Sequence, residues 1–498
     1  MPAALPPARQ TPLAMSAETF RQLGHDLVDR LATFLEAVPD GPVTRGEAPA
    51  RVRELLDAAA ALPDAGAEAG PLLARAADLL CDHSLLNGHP RFLGYITSSP
   101  APIGMLADLL AAAVNPNVGA WRLAPMASEI EAQTVRWIAD LVGYPSSCGG
   151  LLVSGGNMAN MVALFAARVS VGGAAIRRDG IAAGGRRYSV YASEETHTWL
   201  QKATDLAGLG TDAIRWIPTD ASQRVRVEAL REAIATDRVA GRVPLMVVGT
   251  AGSVSTGAVD PLRELAALSR AHGAWFHVDG AYGGFAAAVP GTPEDLQHMA
   301  LADSVALDPH KWLYAPLEAG CVLVRDEAAL RHAFSYHPPY YHFGDPATNY
   351  FDLGVQNSRG FRALKVWLAL AQAGRRGYVQ MIGEDIALSE RLAARLAIHG
   401  DFEVLTQGLS ITTFRYVPAE WRGREQTPAI APRLDALNEA LLDRLQASGE
   451  LFVSNAVVCG RYALRACIVN IHTSAADVDA VPALIAAHGR AIHTAGAS

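Results

Sequence analysis

Lysine is nearly absent from this 498-residue chain: Lys202, Lys311 and Lys365 are the only three among 42 basic residues. Arginine carries the rest of the positive charge, scattered against 50 acidic residues for a net charge of −8. No basic block or arginine stripe exists to neutralise a phosphate backbone, which sets nucleic acid aside as a partner. Cysteine is sparse too. Cys81, Cys148, Cys321, Cys459 and Cys467 show no CxxC or metal-ligand spacing, so they read as reduced thiols rather than a disulfide framework or zinc site. No apolar run is long enough to span a bilayer: "APIGMLADLLAAAV" is interrupted by Asp108, and "PLMVVGTAGSVSTGAV" by Gly, Ser and Thr. Residues 1–15 are proline-rich and lack the apolar core of a signal peptide. They read as a disordered leader, with a cytoplasmic address and no membrane contact expected.

Half of the residues are hydrophobic and 18% are charged, the balance of a large globular protein. Ser16 is placed to cap a helix in which Phe20, Leu23, Leu27, Leu31 and Phe34 recur at three- and four-residue spacing. Two more helical patterns follow, near 50–60 and 71–82. Residues 16–100 thus read as a helical arm whose long apolar face a second subunit is expected to cover. From 101 to 380, short Val- and Leu-rich runs alternate with helical stretches: "GGLLVSGG", "RYSVYAS", "PLMVVGT", "AWFHVD", "DSVALDP" and "GCVLVRD". This pattern predicts an α/β domain with a mostly parallel central sheet covered by helices. Residues 381–498 read as a small α+β domain, with strands in "GLSITTFRYV", "LFVSNAV" and "YALRACIVNI".

Ligands of such sheets sit beyond the carboxyl ends of the strands, and four features fall there. Ser154-Gly155-Gly156-Asn157 joins a strand to a helix, a turn that lets backbone amides approach an anion. It lacks both GxGxxG and GK[ST], so a single phosphate suits it better than a dinucleotide. Asp279, in "HVDGAYGG", follows a strand and precedes the small residues Gly280 and Ala281. It reads either as a turn cap or as a carboxylate holding a proton on a heteroaromatic nitrogen. Lys311, in "DPHKWLYAP", again stands just past a strand, whereas Lys202 and Lys365 read as ordinary surface lysines. Lysine, unlike arginine, can lose its proton, attack a carbonyl and form an imine. His197, in "ASEETHTWLQKA", offers a flat ring that could stack on a planar group. Together the four describe a site for pyridoxal phosphate (PLP).

The segments "HPRFLGYI", "SGGNMANMVAL", "HTWLQKA", "HVDGAYGG", "DPHKWLYAPLEAG" and "NSRGFRALKVW" resemble the group II PLP-dependent amino acid decarboxylases, nearest to the aromatic L-amino acid decarboxylases. The resemblance runs from about residue 18 to the C-terminal helix. It implies fold type I of the PLP-dependent transferases, an obligate homodimer with its active site at the subunit interface, and an amino acid as small-molecule substrate. It implies that Lys311 is the Schiff-base lysine, Asp279 the partner of the pyridine nitrogen and His197 the residue stacked on the ring. Gly155, Gly156, Asn157, Thr198, Asp308 and His310 match phosphate-side positions, with Thr250 and Ala281 also against the cofactor. Asn157 stands where Ser is common, and Asp308 where the animal enzymes have Asn. A carboxylate beside a phosphate dianion is unfavourable unless it turns away or is hydrogen-bonded.

"YHPPYYHFGDPATNYFDLGVQNSRGFR" reads as a long mobile loop. Counting back from "FRALK" puts Tyr350 at the family's catalytic loop tyrosine, which implies protonation at Cα and an amine product. Relatives with Phe there couple decarboxylation to oxidative deamination and give an aldehyde. Phe92, Tyr95, Ile96 and Thr97 match the wall against the substrate side chain, although the aromatic branch often has Phe-Pro at the last two. No additional Arg or Lys presents itself for an acidic side chain, so an aromatic L-amino acid is the expected substrate. The alternatives are an aldehyde synthase, an aminotransferase, a lyase for phosphorylated sphingoid bases (which has Tyr in place of Trp312) and a non-catalytic PLP-fold scaffold.

Overall fold

The computed structural model describes residues 11–336 and 347–496. Residues 337–346, the proline-rich part of the predicted loop, lie outside that range, as do residues 1–10 of the predicted leader. Ser16 caps the first helix as its spacing predicts: its Oγ accepts from the Thr19 amide at 3.0 Å, and α1 runs Ala17–Ala37. With α2 (Pro49–Leu56) and α3 (Ala69–His83) it forms the N-terminal arm. No residue of α1 is buried, and Phe20, Val28, Leu31 and Leu35 stay exposed. Two further helices, α4 (Pro102–Val114) and α5 (Pro125–Leu141), lead into the sheet.

The central sheet comprises β1 (Gly149–Val153), β2 (Arg187–Ser193), β3 (Ile214–Ile217), β4 (Arg242–Thr250), β5 (Trp275–Asp279), β6 (Ser304–Leu307) and β7 (Gly320–Val324). Their order is β1-β7-β6-β5-β4-β2-β3. From β3 across to β6 the neighbours are parallel, and β7 lies antiparallel between β6 and β1. The continuous apolar runs are explained by burial on both faces. Val247, Phe276 and Val305 belong to one core cluster, and Met246, Val248 and Ala306 to another.

The second sheet is antiparallel, in the order β10-β11-β9-β8, from β8 (Phe402–Gly408), β9 (Ile411–Tyr416), β10 (Ser454–Val458) and β11 (Arg461–Cys467). Helices Ala431–Ser448 and Ala475–Gly496 accompany it around a core of Phe414, Leu441, Leu464 and Val481. One helix, Ala363–His399, runs through the boundary expected at 380 and 381, broken by left-handed Gly374 at φ 64°. None of the described helices is long and apolar enough to cross a membrane.

Candidate active site

Parallel strands end on the same side of a sheet, so residues distant in sequence meet there. β1 passes through Ser154-Gly155 into α6 (Gly156–Gly172), β2 into the turn holding His197, and β4 and β5 end on Thr250 and Asp279. β6 passes through Asp308 into the short helix Pro309–Trp312, which carries Lys311. Gly156, Asn157, His197, Thr250, Asp279 and Lys311 line one cleft, together with Ala281 and Asp308. The four strand-end features therefore converge.

Lys311 Nζ lies 2.9 Å from Asp308 Oδ2. Asp308 is buried, and its Oδ1 has no hydrogen-bond partner among the described residues. The carboxylate foreseen as unfavourable beside an anion is thus the counterion of Lys311. Asp279 is buried at the end of β5. Its Oδ2 accepts from Trp199 Nε1 at 2.8 Å and Asn160 Nδ2 at 3.2 Å, and its Oδ1 only from the Ala281 amide at 3.2 Å. Burial pushes the Asp279 carboxyl up, and the positive charge of Lys311 pulls against that shift. His197 keeps its ring open to solvent and accepts from the Trp199 amide on Nδ1 at 3.2 Å. Partial burial holds its imidazole below the ordinary value, against the pull of Asp279.

The glycine turn is required by its neighbours. Gly155 has φ 146°, and a Cβ there would stand 3.1 Å from His310 Cε1. A Cβ on Gly156 would come within 2.7 Å of Asp308 Oδ2 and 3.0 Å of the Ala281 methyl. The first turn of α6 therefore brings its backbone close to the cleft. His310 sits behind this turn, its Nδ1 accepting from the Ala319 amide at 3.1 Å and its Nε2 3.6 Å from Asp308 Oδ2. Thr198 is exposed and lies outside the set of cleft-lining residues. These groups fit pyridoxal phosphate: an amine at Lys311, a buried carboxylate with one lightly used oxygen, an anion-ready glycine turn, and a buried Thr250 Oγ1 without a partner among the described residues.

Sequence reasoning missed Asn160, Glu195, Gly252, Val254 and Tyr282, which also line the cleft. Asn160 carried a usable signal: it falls one helical turn after Gly156, on the same face of α6.

Four expected neighbours are not in the cleft lining. Phe92 is buried against Phe452, with ring centroids 5.4 Å apart, and Val43. Tyr95 is exposed, its ring 5.9 Å from Phe452, and Ile96 packs against the core beside half-buried Thr97. Their segment is nevertheless tied to the lysine turn, because Ser98 Oγ donates to the His310 carbonyl at 2.9 Å. Tyr350 is also enclosed by protein. It lies in a short 3-10 turn, Tyr350–Asp352, with only 2% of its surface exposed. Its ring packs 4.8 Å from the Arg359 guanidinium, which is itself paired with buried Glu131, and its hydroxyl faces the Ser128 carbonyl at 3.5 Å. Burial raises its phenol far above the ordinary value. It is not among the described residues that line the cleft. Lys365 also departs from expectation: it is buried, with Nζ 3.1 Å from Asp108 Oδ2.

Residues 49–417 match the pyridoxal-dependent decarboxylase conserved domain. The aromatic-L-amino-acid decarboxylase of Bacillus atrophaeus is 33% identical over 473 residues, covering 94% of each chain. A phenylacetaldehyde synthase of Arabidopsis thaliana is 29% identical, covering 91% of this chain and 92% of that protein. Among solved structures, Oryza sativa TDC with PLP and tryptamine superimposes with a TM-score of 0.89 at 28% identity, over 97% of this chain and all of that one.

Proposed function

The chain belongs to the pyridoxal-dependent decarboxylase family, and on that premise we propose that it converts an aromatic L-amino acid to the corresponding amine and CO2. It is a PLP-dependent carboxy-lyase. Bound pyridoxal phosphate supplies the electron sink that allows a substituent of the substrate Cα to leave. Lys311 would hold the cofactor through Nζ, with Asp308 at 2.9 Å placed to take up or return the proton that this amine must lose. Asp279 Oδ1 would hold the proton on the ring nitrogen, with Oδ2 kept in place by Trp199 and Asn160. His197 and Ala281 would lie against the ring in the cleft. Gly155, Gly156 and Asn157 would receive the phosphate at the start of α6, with Thr250 Oγ1 as a further donor.

One observation carries the substrate reading: among the described cleft-lining residues, Lys311 is the sole lysine or arginine. Arg465, behind it, is buried and donates to Ser454 Oγ at 3.0 Å and the Val254 carbonyl at 2.6 Å. An acidic side chain would therefore meet no free cation among the described cleft-lining residues. The test is a panel of Trp, Tyr, Phe, DOPA, Glu and 2,4-diaminobutyrate assayed for CO2 and for amine. Release of both from the aromatic members is expected. Turnover of Glu and diaminobutyrate alone would overturn the substrate class, and aldehyde, ammonia and peroxide as main products would overturn the amine.

We further propose that two chains pair through the arm, which would cover Phe20, Val28, Leu31 and Leu35 of α1. Light scattering should then give twice the chain mass of 52.7 kDa. A monomer that retains activity would contradict this.

A further inference from the structure

From Asn160 in the cleft wall, a line of buried polar side chains runs back through His277 and Ser304 to Trp275, and the reaction as described uses only the first of them. Asn160 Nδ2 donates to Asp279 Oδ2 at 3.2 Å, and Asn160 Oδ1 lies 2.7 Å from His277 Nε2. His277 Nδ1 lies 2.8 Å from Ser304 Oγ, which also accepts from Trp275 Nε1 at 2.8 Å. Asn160, His277 and Ser304 are 1% exposed or less, and Trp275 is buried. The pleat explains the alignment. Trp275, His277 and Asp279 alternate along β5 and share one face, and Ser304 is the direct partner of His277 on β6. Asn160 reaches the same face from α6.

The chemistry of each group fixes the direction of every bond. An ionised carboxylate only accepts, so Asn160 must turn its amide NH2 toward Asp279 and its carbonyl toward His277. His277 then has to donate from Nε2. Burial lowers its imidazole to about 3, so the ring is neutral and carries that single proton. Its Nδ1 therefore accepts, and the Ser304 hydroxyl must donate to it. Trp275, a donor without an acceptor site, closes the line.

We propose that Trp275, Ser304, His277 and Asn160 form a one-way hydrogen-bond relay that fixes Asp279 Oδ2 as an acceptor and leaves Oδ1 as the oxygen offered to the cofactor's ring nitrogen. This rests on the PLP reading above. Running the relay backwards requires Asp279 to carry a proton on Oδ2 and donate it to Asn160, and His277 to donate from Nδ1 to Ser304. The Ser304 hydroxyl would then receive two donors and have no acceptor for its own proton among the described residues. A proton on Asp279 Oδ2 is thus penalised from a point three side chains away. The charged groups acting on Asp279 directly, Lys311, His197 and Asp308, all lie on the cleft side. His277, Ser304 and Trp275 are positioning residues, since they lie outside the cleft lining and act through Asn160 and Asp279.

The test uses the holoenzyme. Nitrogen-15 NMR of histidine-labelled protein, with the His277 signal assigned by its loss in His277→Gln, should show a neutral ring protonated on Nε2 from about pH 6 to about pH 8. A proton on Nδ1, or a charged ring, would overturn the relay. In kinetics, His277→Leu should lower kcat about 10-fold or more with KM little changed, and Ser304→Ala should move it the same way by less. His277→Gln, whose amide can still donate to Asn160 and accept from Ser304, should recover most of the loss. Equal kcat in His277→Leu and wild type would refute the proposal. If His277→Leu does not fold, Ser304→Ala and the NMR tautomer decide. Wild-type protein that neither binds PLP nor releases CO2 would instead remove the decarboxylase reading on which the relay rests.

Discussion

Replacing Lys311 by alanine or by arginine is expected to cut turnover about 10³-fold or more, measured as CO2 release from saturating amino acid. The two variants separate charge from chemistry. Asp308 is buried and holds Lys311 Nζ at 2.9 Å, so alanine leaves that carboxylate without its cation. Arginine keeps a positive charge near Asp308 but cannot give up a proton and bond to a carbonyl carbon. Lys311→Arg should therefore fold and yet be as inactive as Lys311→Ala. No other lysine can substitute: Lys202 lies exposed on the helix Trp199–Leu206, and Lys365 is buried against Asp108. An arginine variant retaining more than about a tenth of wild-type kcat would show that the lysine acts as a charge rather than as a nucleophile.

Asp279→Asn is expected to lower kcat by about 10² to 10³ with a much smaller change in KM. The side chain is almost unchanged in shape, but an amide has no negative charge to hold a proton on the ring nitrogen. It also offers one oxygen where Trp199, Asn160 and the Ala281 amide all now donate. At least one of those buried donors must lose its partner, which adds a modest loss of stability. Steady-state kinetics beside thermal unfolding distinguishes the two effects. A kcat within a few-fold of wild type would remove Asp279 from the reaction.

The strands that position the site were legible because each is a short apolar run ending in a small or charged residue. β1, β2, β4, β5, β6 and β7 all fall on the runs "GGLLVSGG", "RYSVYAS", "PLMVVGT", "AWFHVD", "DSVALDP" and "GCVLVRD". β3 and β8 were missed for a physical reason. Both lie at sheet edges, and "IRWI" and "FEVLTQG" mix polar with apolar residues because their outer positions are not fully buried. Lys311, Asp279 and His197 could be chosen because strand-end placement and side-chain chemistry coincide. The burial of Tyr350 was not legible, because position within a segment says nothing about burial, and Arg359 and Ser128, which pack against it, give no local signal. The Asp308–Lys311 pair and the line from Trp275 to Asp279 depend on tertiary neighbours, and no periodicity announces them.

The proposed reaction requires a covalent bond between the cofactor and one of only three lysines in the chain. Borohydride reduction of the holoenzyme followed by peptide mass mapping locates that bond directly. The phosphopyridoxyl mass should appear on the peptide containing Lys311 and on neither the Lys202 nor the Lys365 peptide. Label on either of those two, or none on any lysine of protein that still releases CO2, would contradict it.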